Sequence, residues 1–457
     1  MARGQVRGVA VLCASQFVDV LGVTVVITAL PVMLADLDAP TSVGALVVTG
    51  YAVFFGSLLM LGARLGDRYG HARALQWALV LFAVASVVAG VATHVVVLVL
   101  ARCALGAAAA VSVPAALRML SQVCPDEASR RRALSAWSAA GAAAGASGFL
   151  LGGLLTDLAG WRSLFWINVP ITVALFVGVR RLRQSSPPPT PVALDLRGAL
   201  LLTTGIASLV VGASLLEQPD EWMIAAGVLA LGAGLLAAFA HAQRRATAPL
   251  LPRAALGDRR LRTGAAIAFA NTATTSSVTI ASLYLQQERG LGAGATGAAL
   301  LPFSLCVVAG STLASPLQHR LGLPRTAAAG LLVIATGNAA LLAIDLSAWA
   351  ASVAVAVAGL GIGLSSVAST TLGTSVAPDL QGTAAGAVNT AAQLGTALGT
   401  ATLVLIAATS PDLSVLTTGE HLAWAVAGLA AAATAAWLLT NASHRAAPFT
   451  TPAKRSG

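Results

Sequence analysis

Long apolar runs dominate the hydrophobic pattern of this chain. Each run approaches the ~20 residues that a helix needs to cross a bilayer, and short segments rich in charge, proline, glycine or aspartate separate them. The runs lack the apolar–polar alternation over ~10 residues that marks membrane β-strands. They lie at 9–34, 43–63, 74–93, 95–117, 133–156, 163–179, 196–216, 222–243, 263–285, 295–314, 326–344, 347–371, 383–408 and 422–440. The pattern therefore predicts an all-α integral membrane protein with 14 transmembrane helices.

Composition supports lipid as the main solvent and argues against an enzyme. Of the 457 residues, 57% are hydrophobic and 10% are charged, whereas a soluble domain carries ~25% charged residues. The six histidines and four cysteines are scattered, without the close pairs that metal sites need. We expect no metal site, no cofactor and no catalytic residue, with the proton motive force as the energy source.

The basic residues predict the orientation of the spans. With a cytoplasmic N-terminus, 24 of the 27 fall in cytoplasmic segments, as the positive-inside rule requires. Only Arg162 and Arg289 lie on the other side, and Arg102 lies within a span. We expect both termini in the cytoplasm of a bacterium, in a multi-pass protein of the inner membrane. The net charge of +10 then reflects topology, and we expect no nucleic-acid partner.

An internal repeat suggests a duplicated bundle. Residues 64–73 and 316–325 follow the second and tenth spans and share four matches at an offset of 252: Leu65 with Leu317, Arg68 with Arg320, Gly70 with Gly322, and Arg73 with Arg325. Parallel repeats of this kind occur in transporters. The predicted domains are a six-helix bundle at 1–183, a proline-rich linker at 184–195, an inserted two-helix hairpin at 196–245, a basic loop at 246–262, a second six-helix bundle at 263–442 and a tail at 443–457.

Two ionisable residues fall within predicted spans. Asp19 lies in the first span and Arg102 in the fourth, and a charge at membrane depth indicates function by default. A carboxyl that titrates and a cation that adjusts its pKa are what a proton-coupled cycle needs. The alternatives are a structural carboxylate bonded to a neighbouring helix and an arginine that reaches the interface.

Further polar and small residues are candidates for a substrate cavity and for helix contacts. The candidate cavity residues are Gln16, Asn271, Thr275, Asn338, Asn389 and Gln393; the alternative is interhelical hydrogen bonding, worth ~0.6 kcal/mol per bond. Gly148 and Gly152 belong to a row of small residues in the fifth span, which lets helices approach closely.

These motifs resemble the major facilitator superfamily, specifically its fourteen-span drug:proton antiporters, over nearly the whole chain. The signature G-x-L-x-D-R-x-G-R-R resembles residues 63–72, with Ala63 at the first glycine and His71-Ala72 at the basic pair. The resemblance implies that this motif gates the cytoplasmic face. Its residues here are Leu65, Gly66, Asp67, Arg68, Gly70 and the nearby Arg73.

Two further signatures carry the resemblance in the fourth and fifth spans. L-x-x-x-R-x-x-Q-G is similar to Leu98, Arg102 and Gly106, with Leu105 at the glutamine, and implies that Arg102 takes part in proton coupling. G-P-x-x-G-G is similar to residues 148–153 and implies an antiporter motif. Its glycines are Gly148, Gly152 and Gly153, and Phe149 occupies the proline position.

The run WRSLFWINVP at 161–170 resembles the family pattern W-R-x-x-F-x-x-N-x-P, and residues 195–198 resemble the fourteen-span branch. The first-span pattern D-x-T-x-x-N-x-A-L-P matches residues 22–31, with Gly22 and Ile27 at the acid and the asparagine. Asp19 lies about one helical turn earlier, and we expect it to replace that acid.

The predicted function is proton-coupled export of hydrophobic drugs or an antibiotic by alternating access. The expected partners are an amphipathic or hydrophobic small molecule, protons and membrane lipid, and the expected oligomeric state is a monomer. A proton-linked importer or facilitator on the same scaffold, and a transport-dead membrane sensor, are the alternatives.

Overall fold

A computed structural model describes residues 3–40, 43–124, 126–182, 192–246, 249–250, 252–342, 347–377, 380–409 and 419–443, and these residues are helical with short connections. Most of the predicted linker and nearly all of the predicted tail lie outside the described residues. The helices are α1 Arg3–Thr24, α2 Leu30–Asp36, α3 Gly44–Tyr69, α4 His71–Gly90, α5 Val95–Val123, α6 Glu127–Ala159, α7 Ser163–Trp166, α8 Asn168–Leu182, α9 Leu196–Leu215, α10 Trp222–Arg245, α11 Arg253–Gly257, α12 Arg259–Thr275, α13 Ser277–Gln287, α14 Ala293–Leu321, α15 Leu323–Leu342, α16 Ala348–Gly373, α17 Gln381–Thr409 and α18 Gly419–Ser443.

The prediction of an all-helical membrane protein is confirmed. Within the described residues, twelve helices are long and apolar enough to cross a membrane, and α6 makes thirteen when its two segments, which meet at an angle of 43° between Gly145 and Ser147, count as one span. The predicted ninth span falls on α12 and α13, which are broken at Ser276. A total of 14 spans stays a prediction.

The first predicted span is also broken, which its continuous apolar sequence does not reveal. The α-helical ladder stops at Thr24, and tighter bonds follow from the Ile27 amide to the Thr24 carbonyl and from the Ala29 amide to the Val26 carbonyl. The short helix α2 then begins with Pro31 in its first turn, where a missing N–H costs nothing. The break places the carbonyl of Val25 and the hydroxyl of Thr28 against α6.

Helix contacts define two halves and a hairpin between them. Helices α1 to α8 pack mainly on one another, as do α12 to α18, and the pairs α6–α14 and α3–α17 join the two sets. The hairpin of α9 and α10 packs on α3 and α17. Arg64 on α3 donates hydrogen bonds to the backbone oxygens of Ala193, before α9, and Pro249, after α10. These bonds attach both ends of the hairpin to α3.

Helix boundaries follow the repeat offset of 252 that the sequence suggests. Helix α4, at 71–90, corresponds to α15, at 323–342, and α3 and α14 end at the equivalent residues 69 and 321. The turn residues Gly70 and Gly322 have φ angles of 91° and 80°, a conformation that glycine adopts readily.

One end of the molecule collects most of the arginines, and we call it the arginine-rich end. It contains the α3–α4, α5–α6 and α14–α15 connections, with residues such as Arg68, Arg130 and Arg320. The other end, which contains α2 and the last turn of α13, is called the opposite end.

Candidate functional site

Asp19 is enclosed by three helices in the first half of the molecule. Its side chain lies on α1 and the residue is only 3% exposed. The Ser112 hydroxyl on α5 donates to Asp19 Oδ2 at 2.6 Å, and the Tyr51 hydroxyl on α3 donates to the Asp19 backbone oxygen at 2.6 Å. These bonds hold a carboxyl in place within the apolar core.

Arg102 is buried beside this carboxyl, on α5, and is 1% exposed. Its Nε donates to the Val47 carbonyl at 3.1 Å and its Nη1 to the Gly22 carbonyl at 2.6 Å. The guanidinium also lies over the Tyr51 ring, 4.7 Å from its centroid. Its Nη2 has no hydrogen-bond partner among the described residues, so both N–H donors of this nitrogen remain available.

Asp19 and Arg102 do not form an ion pair within the described residues, where the resolved salt bridges join other groups. Tyr51 lies between them, bonded to the Asp19 backbone and stacked under the Arg102 guanidinium. The Arg102 guanidinium therefore does not neutralise the Asp19 carboxyl through an ion pair.

Tyr51 and Ser112 were not predicted as site residues. The available signals were weak: Tyr51 is one of three tyrosines in the chain, and Ser112 lies in the same span as Arg102. The signature residue Gly106 has a role here, because a side chain at this position would overlap the Tyr51 backbone oxygen. Gly106 therefore lets α5 approach α3 closely enough to build the site.

The fifth-span glycines lie on two different contacts of α6. A Cβ on Gly148 would overlap Thr24, and one on Gly152 would overlap the Val25 carbonyl, so both face the broken part of α1. Gly153 instead faces the backbone of Ala293 at the start of α14. The motif thus joins α6 to both halves of the molecule.

Substitution of these glycines by alanine gives a matched pair of expected results. Gly153→Ala should lower the melting temperature of the purified protein, because its methyl group overlaps backbone that has no room to move, at a cost of about 1–3 kcal/mol. Gly145→Ala should leave the melting temperature unchanged or higher, because nothing lies within 4 Å of its Cβ position. Equal melting temperatures for the two variants would contradict this account of the α6–α14 contact.

Contacts between the halves close the opposite end. Asp157 Oδ2 accepts the backbone N–H of Gly294 at 2.8 Å, at the N-terminus of α14, where the helix dipole favours a negative charge. The Ser304 hydroxyl donates to the Gly145 carbonyl at 3.0 Å. Phe149, at the proline position of the signature, packs edge-to-face on Phe303 at 5.9 Å. Towards the arginine-rich end α6 becomes exposed over most of residues 134–139.

Residues of the run at 161–170 form hydrogen bonds that stabilise the opposite end of the first half. Trp161 Nε1 and Arg162 Nη1 both donate to Asp36 Oδ2, at 3.2 and 2.6 Å, and Arg162 Nη2 donates to the Ala92 carbonyl. The hydrogen bond from Arg162 lowers the pKa of the Asp36 carboxyl. The run therefore ties α2 and the α4–α5 turn to the end of α6.

The signature that is predicted to gate the cytoplasmic face borders a cavity of about 330 Å³ at the arginine-rich end. Asp67 faces His71 Nε2 at 3.3 Å on one wall, while Arg118 and Gly382 line the same cavity. Arg68 is exposed and its guanidinium lies 5.5 Å from the Tyr69 ring centroid. Leu65 is half-buried, Gly66 is buried and Arg73 is exposed. The signature acid thus lines the same cavity as Gly382, which lies in the N-terminal turn of α17 in the other half.

Two of the candidate cavity residues line one space. Asn271 and Asn389 border a cavity of about 320 Å³ in the second half. Asn271 donates to the Ser366 hydroxyl at 2.7 Å, and its Oδ1 is buried without a partner among the described residues. None of the described residues that line this cavity is charged, which suits an uncharged or weakly polar ligand.

The other four candidates lie elsewhere. Gln16 faces Gly141 on α6, and Gln393 packs on Gly56 at the α3–α17 contact. The Thr275 hydroxyl donates to the Asn271 carbonyl, and Asn338 donates to the Ile334 carbonyl. The structure therefore does not gather the six residues into one cavity.

A helical membrane bundle with two linked halves, broken spans and a buried acid is the architecture of a secondary transporter. The family model described as Major Facilitator Superfamily matches residues 12–400, and the chain belongs to this superfamily. It is a multi-pass membrane transporter of small molecules and not an enzyme, which confirms the resemblance to the superfamily.

Several of its relatives are named as resistance or export proteins. The chain is 32% identical to the puromycin resistance protein pur8 of Streptomyces alboniger, over 97% of this chain and 93% of the relative. It is also 32% identical to the cephamycin export protein CmcT of Amycolatopsis lactamdurans, over 96% and 93%. Among solved structures, the POT family transporter PepTSo has a TM-score of 0.70 at 17% identity, over 96% of this chain and 98% of that one; this likeness concerns the fold.

Proposed function

We propose that the protein exports hydrophobic drugs or an antibiotic across the bacterial cytoplasmic membrane in exchange for protons. The observation that carries the proton coupling is the Asp19 carboxyl, which is buried, hydrogen-bonded by Ser112 and not paired with Arg102. The relatives named for resistance and export support the direction and the substrate class.

The proposed architecture is two six-helix bundles with an inserted hairpin, 14 spans in all, and both termini in the cytoplasm. The two halves, the offset of 252 in the helix boundaries and the arginine-rich end support it. Alternating access would rock one half against the other. Asp157, Phe149 and Gly153 close the opposite end here, so the conformation corresponds to a cavity open towards the arginine-rich, cytoplasmic side.

The proton gradient supplies enough energy for this cycle. One proton moving down ~180 mV yields on the order of 4 kcal/mol, which corresponds to nearly three decades of concentration. We infer no further energy source and no cofactor. The substrate-binding surface would combine the apolar walls between the halves with uncharged groups such as Asn271 and Asn389, and a monomer is sufficient because each chain contains both halves.

Transport direction is tested by dye accumulation. Deletion of the gene is expected to raise the intracellular accumulation of a fluorescent hydrophobic dye and to sensitise cells to a panel of antibiotics, because efflux is lost. Lower accumulation after deletion would instead favour the importer. If deletion changes neither accumulation nor susceptibility, a sensor without transport activity becomes the better explanation.

A further inference from the structure

A second candidate site lies at the opposite end of the molecule, and its lining does not include Asp19. A cavity of about 140 Å³ lies where the connection after α9 meets α2 and α3 from one half and α13, α17 and α18 from the other. Two carboxylates, Glu217 from the hairpin and Glu420 from α18, line it together with Thr400 from α17. Leu30 and Ile280 contribute to its apolar walls.

Polar atoms in this cavity lack partners within the described part of the chain. Thr400 is 1% exposed, yet its hydroxyl makes no hydrogen bond, and Glu217 Oε1 is buried without a partner. A buried polar atom left unpaired is costly, and native structures pair the great majority of such atoms. These unpaired atoms therefore point to a ligand that supplies hydrogen-bond donors.

The charge of the cavity indicates that the ligand is a cation. Among the described residues, its lining contains two carboxylates and no arginine, lysine or histidine. Burial raises the pKa of the Glu217 carboxyl to about 7, and a bound positive charge would favour its ionised form. Glu420 is the other titratable group in the lining, and the nearby His421 ring packs on Trp424 at 5.4 Å.

We propose that this cavity binds the head group of an amphipathic primary ammonium ion. A primary ammonium group has three N–H donors, which match the Glu217 and Glu420 carboxylates and the Thr400 hydroxyl. The cavity is smaller than the ~300–1,000 Å³ of a site for a whole drug, so it accommodates the charged head group while the apolar tail follows the walls. This site is separate from the proton-coupling site, and binding to it can be measured without transport.

The location gives such binding a conformational consequence. The acceptors lie on the hairpin connection and on the second half, and the apolar walls include α2 and α3 of the first half. A cation bound here contacts both halves at the end that is closed in this structure. It therefore stabilises this conformation, and a ligand that binds only one state raises the melting temperature of that state.

Calorimetric titration with hexylammonium tests the site. The titration uses the full-length protein in nanodiscs at pH 8, with empty nanodiscs as the blank. Glu217→Gln should weaken binding at least about tenfold, because it removes a charge-assisted hydrogen bond, and Thr400→Val should weaken it several-fold. Glu288→Gln is the matched control at the same end, with an exposed side chain outside the cavity, and should bind as the wild type does.

Two analogues test the chemistry in the wild-type protein and do not depend on the folding of any variant. Hexyltrimethylammonium keeps the charge and the tail but has no N–H donors, and hexanol keeps the tail but has no charge. Both should bind more weakly than hexylammonium by at least about tenfold. Equal affinity for hexylammonium and hexyltrimethylammonium, or unchanged affinity in a folded Glu217→Gln variant, would overturn the proposal.

Discussion

Asp19→Asn is expected to reduce substrate-driven proton movement to the level of empty liposomes while the protein still folds. Asparagine has nearly the same shape, and its Oδ1 can accept the Ser112 hydroxyl that now bonds to Asp19 Oδ2 at 2.6 Å. The Tyr51 bond is unaffected because it goes to the Asp19 backbone. Only the ability to take up and release a proton is lost. Proteoliposomes loaded with a pH-sensitive dye, with substrate added outside, measure the effect.

Asp36→Asn is the matched control for this variant. Asp36 lies in α2 of the same half and bonds to Trp161 and Arg162 at the opposite end, away from the proposed proton path. It should keep substrate-driven proton movement, although its Arg162 contact is weakened. If Asp19→Asn reconstitutes as a folded protein and moves protons at the wild-type rate, Asp19 is not the coupling site.

Arg102→Lys is the second substitution with a large expected effect, although it conserves the charge. The guanidinium bonds to the Val47 and Gly22 carbonyls and stacks on Tyr51 at once, and the ammonium group of lysine lacks the planar fork that permits this arrangement. At least one buried carbonyl then loses its donor, at a cost of about 1–3 kcal/mol. We expect most transport to be lost in an accumulation assay, together with a lower melting temperature.

A purely structural arginine would give a different combination of results. Leu105→Gln, which restores the family residue one turn after Arg102, serves as a control on the same helix and should keep transport. Should Arg102→Lys lower the melting temperature yet retain full proton-coupled transport, Arg102 supports the fold alone. Tyr51→Phe separates the contacts further, since it removes the hydrogen bond to Asp19 and leaves the ring under the guanidinium.

The positions of Asp19 and Arg102 could be predicted because isolated charges are conspicuous in apolar spans. Their neighbours could not be predicted in the same way. Tyr51 and Ser112 are ordinary polar residues on other helices, and their proximity to Asp19 depends on how α3 and α5 cross α1. For the same reason the sequence suggested an arginine that adjusts the pKa of the carboxyl, and only the structure shows that Tyr51 lies between the two residues.

Broken helices were similarly difficult to predict. Residues 9–34 are largely continuous in hydrophobicity, and Pro31 is a strong helix breaker near the first break. The second break, at Ser276, lies in the polar run 271–277, which contains no proline or glycine. The glycines of the fifth span predicted close helix contacts, but only the structure shows that Gly148 and Gly152 face α1 while Gly153 faces α14. Sequence periodicity predicts that a helix packs closely without naming its partner.

The central claim is that substrate export is exchanged for protons, and reversal of the proton gradient tests it most directly. Proteoliposomes of the wild-type protein would receive an imposed pH gradient of either sign, with a fluorescent substrate and the internal pH recorded in the same vesicles. The account predicts that substrate moves against the proton flux in both cases, and that an uncoupler abolishes uphill movement. Substrate movement that ignores the sign of the gradient, or follows it in the same direction, would contradict the account.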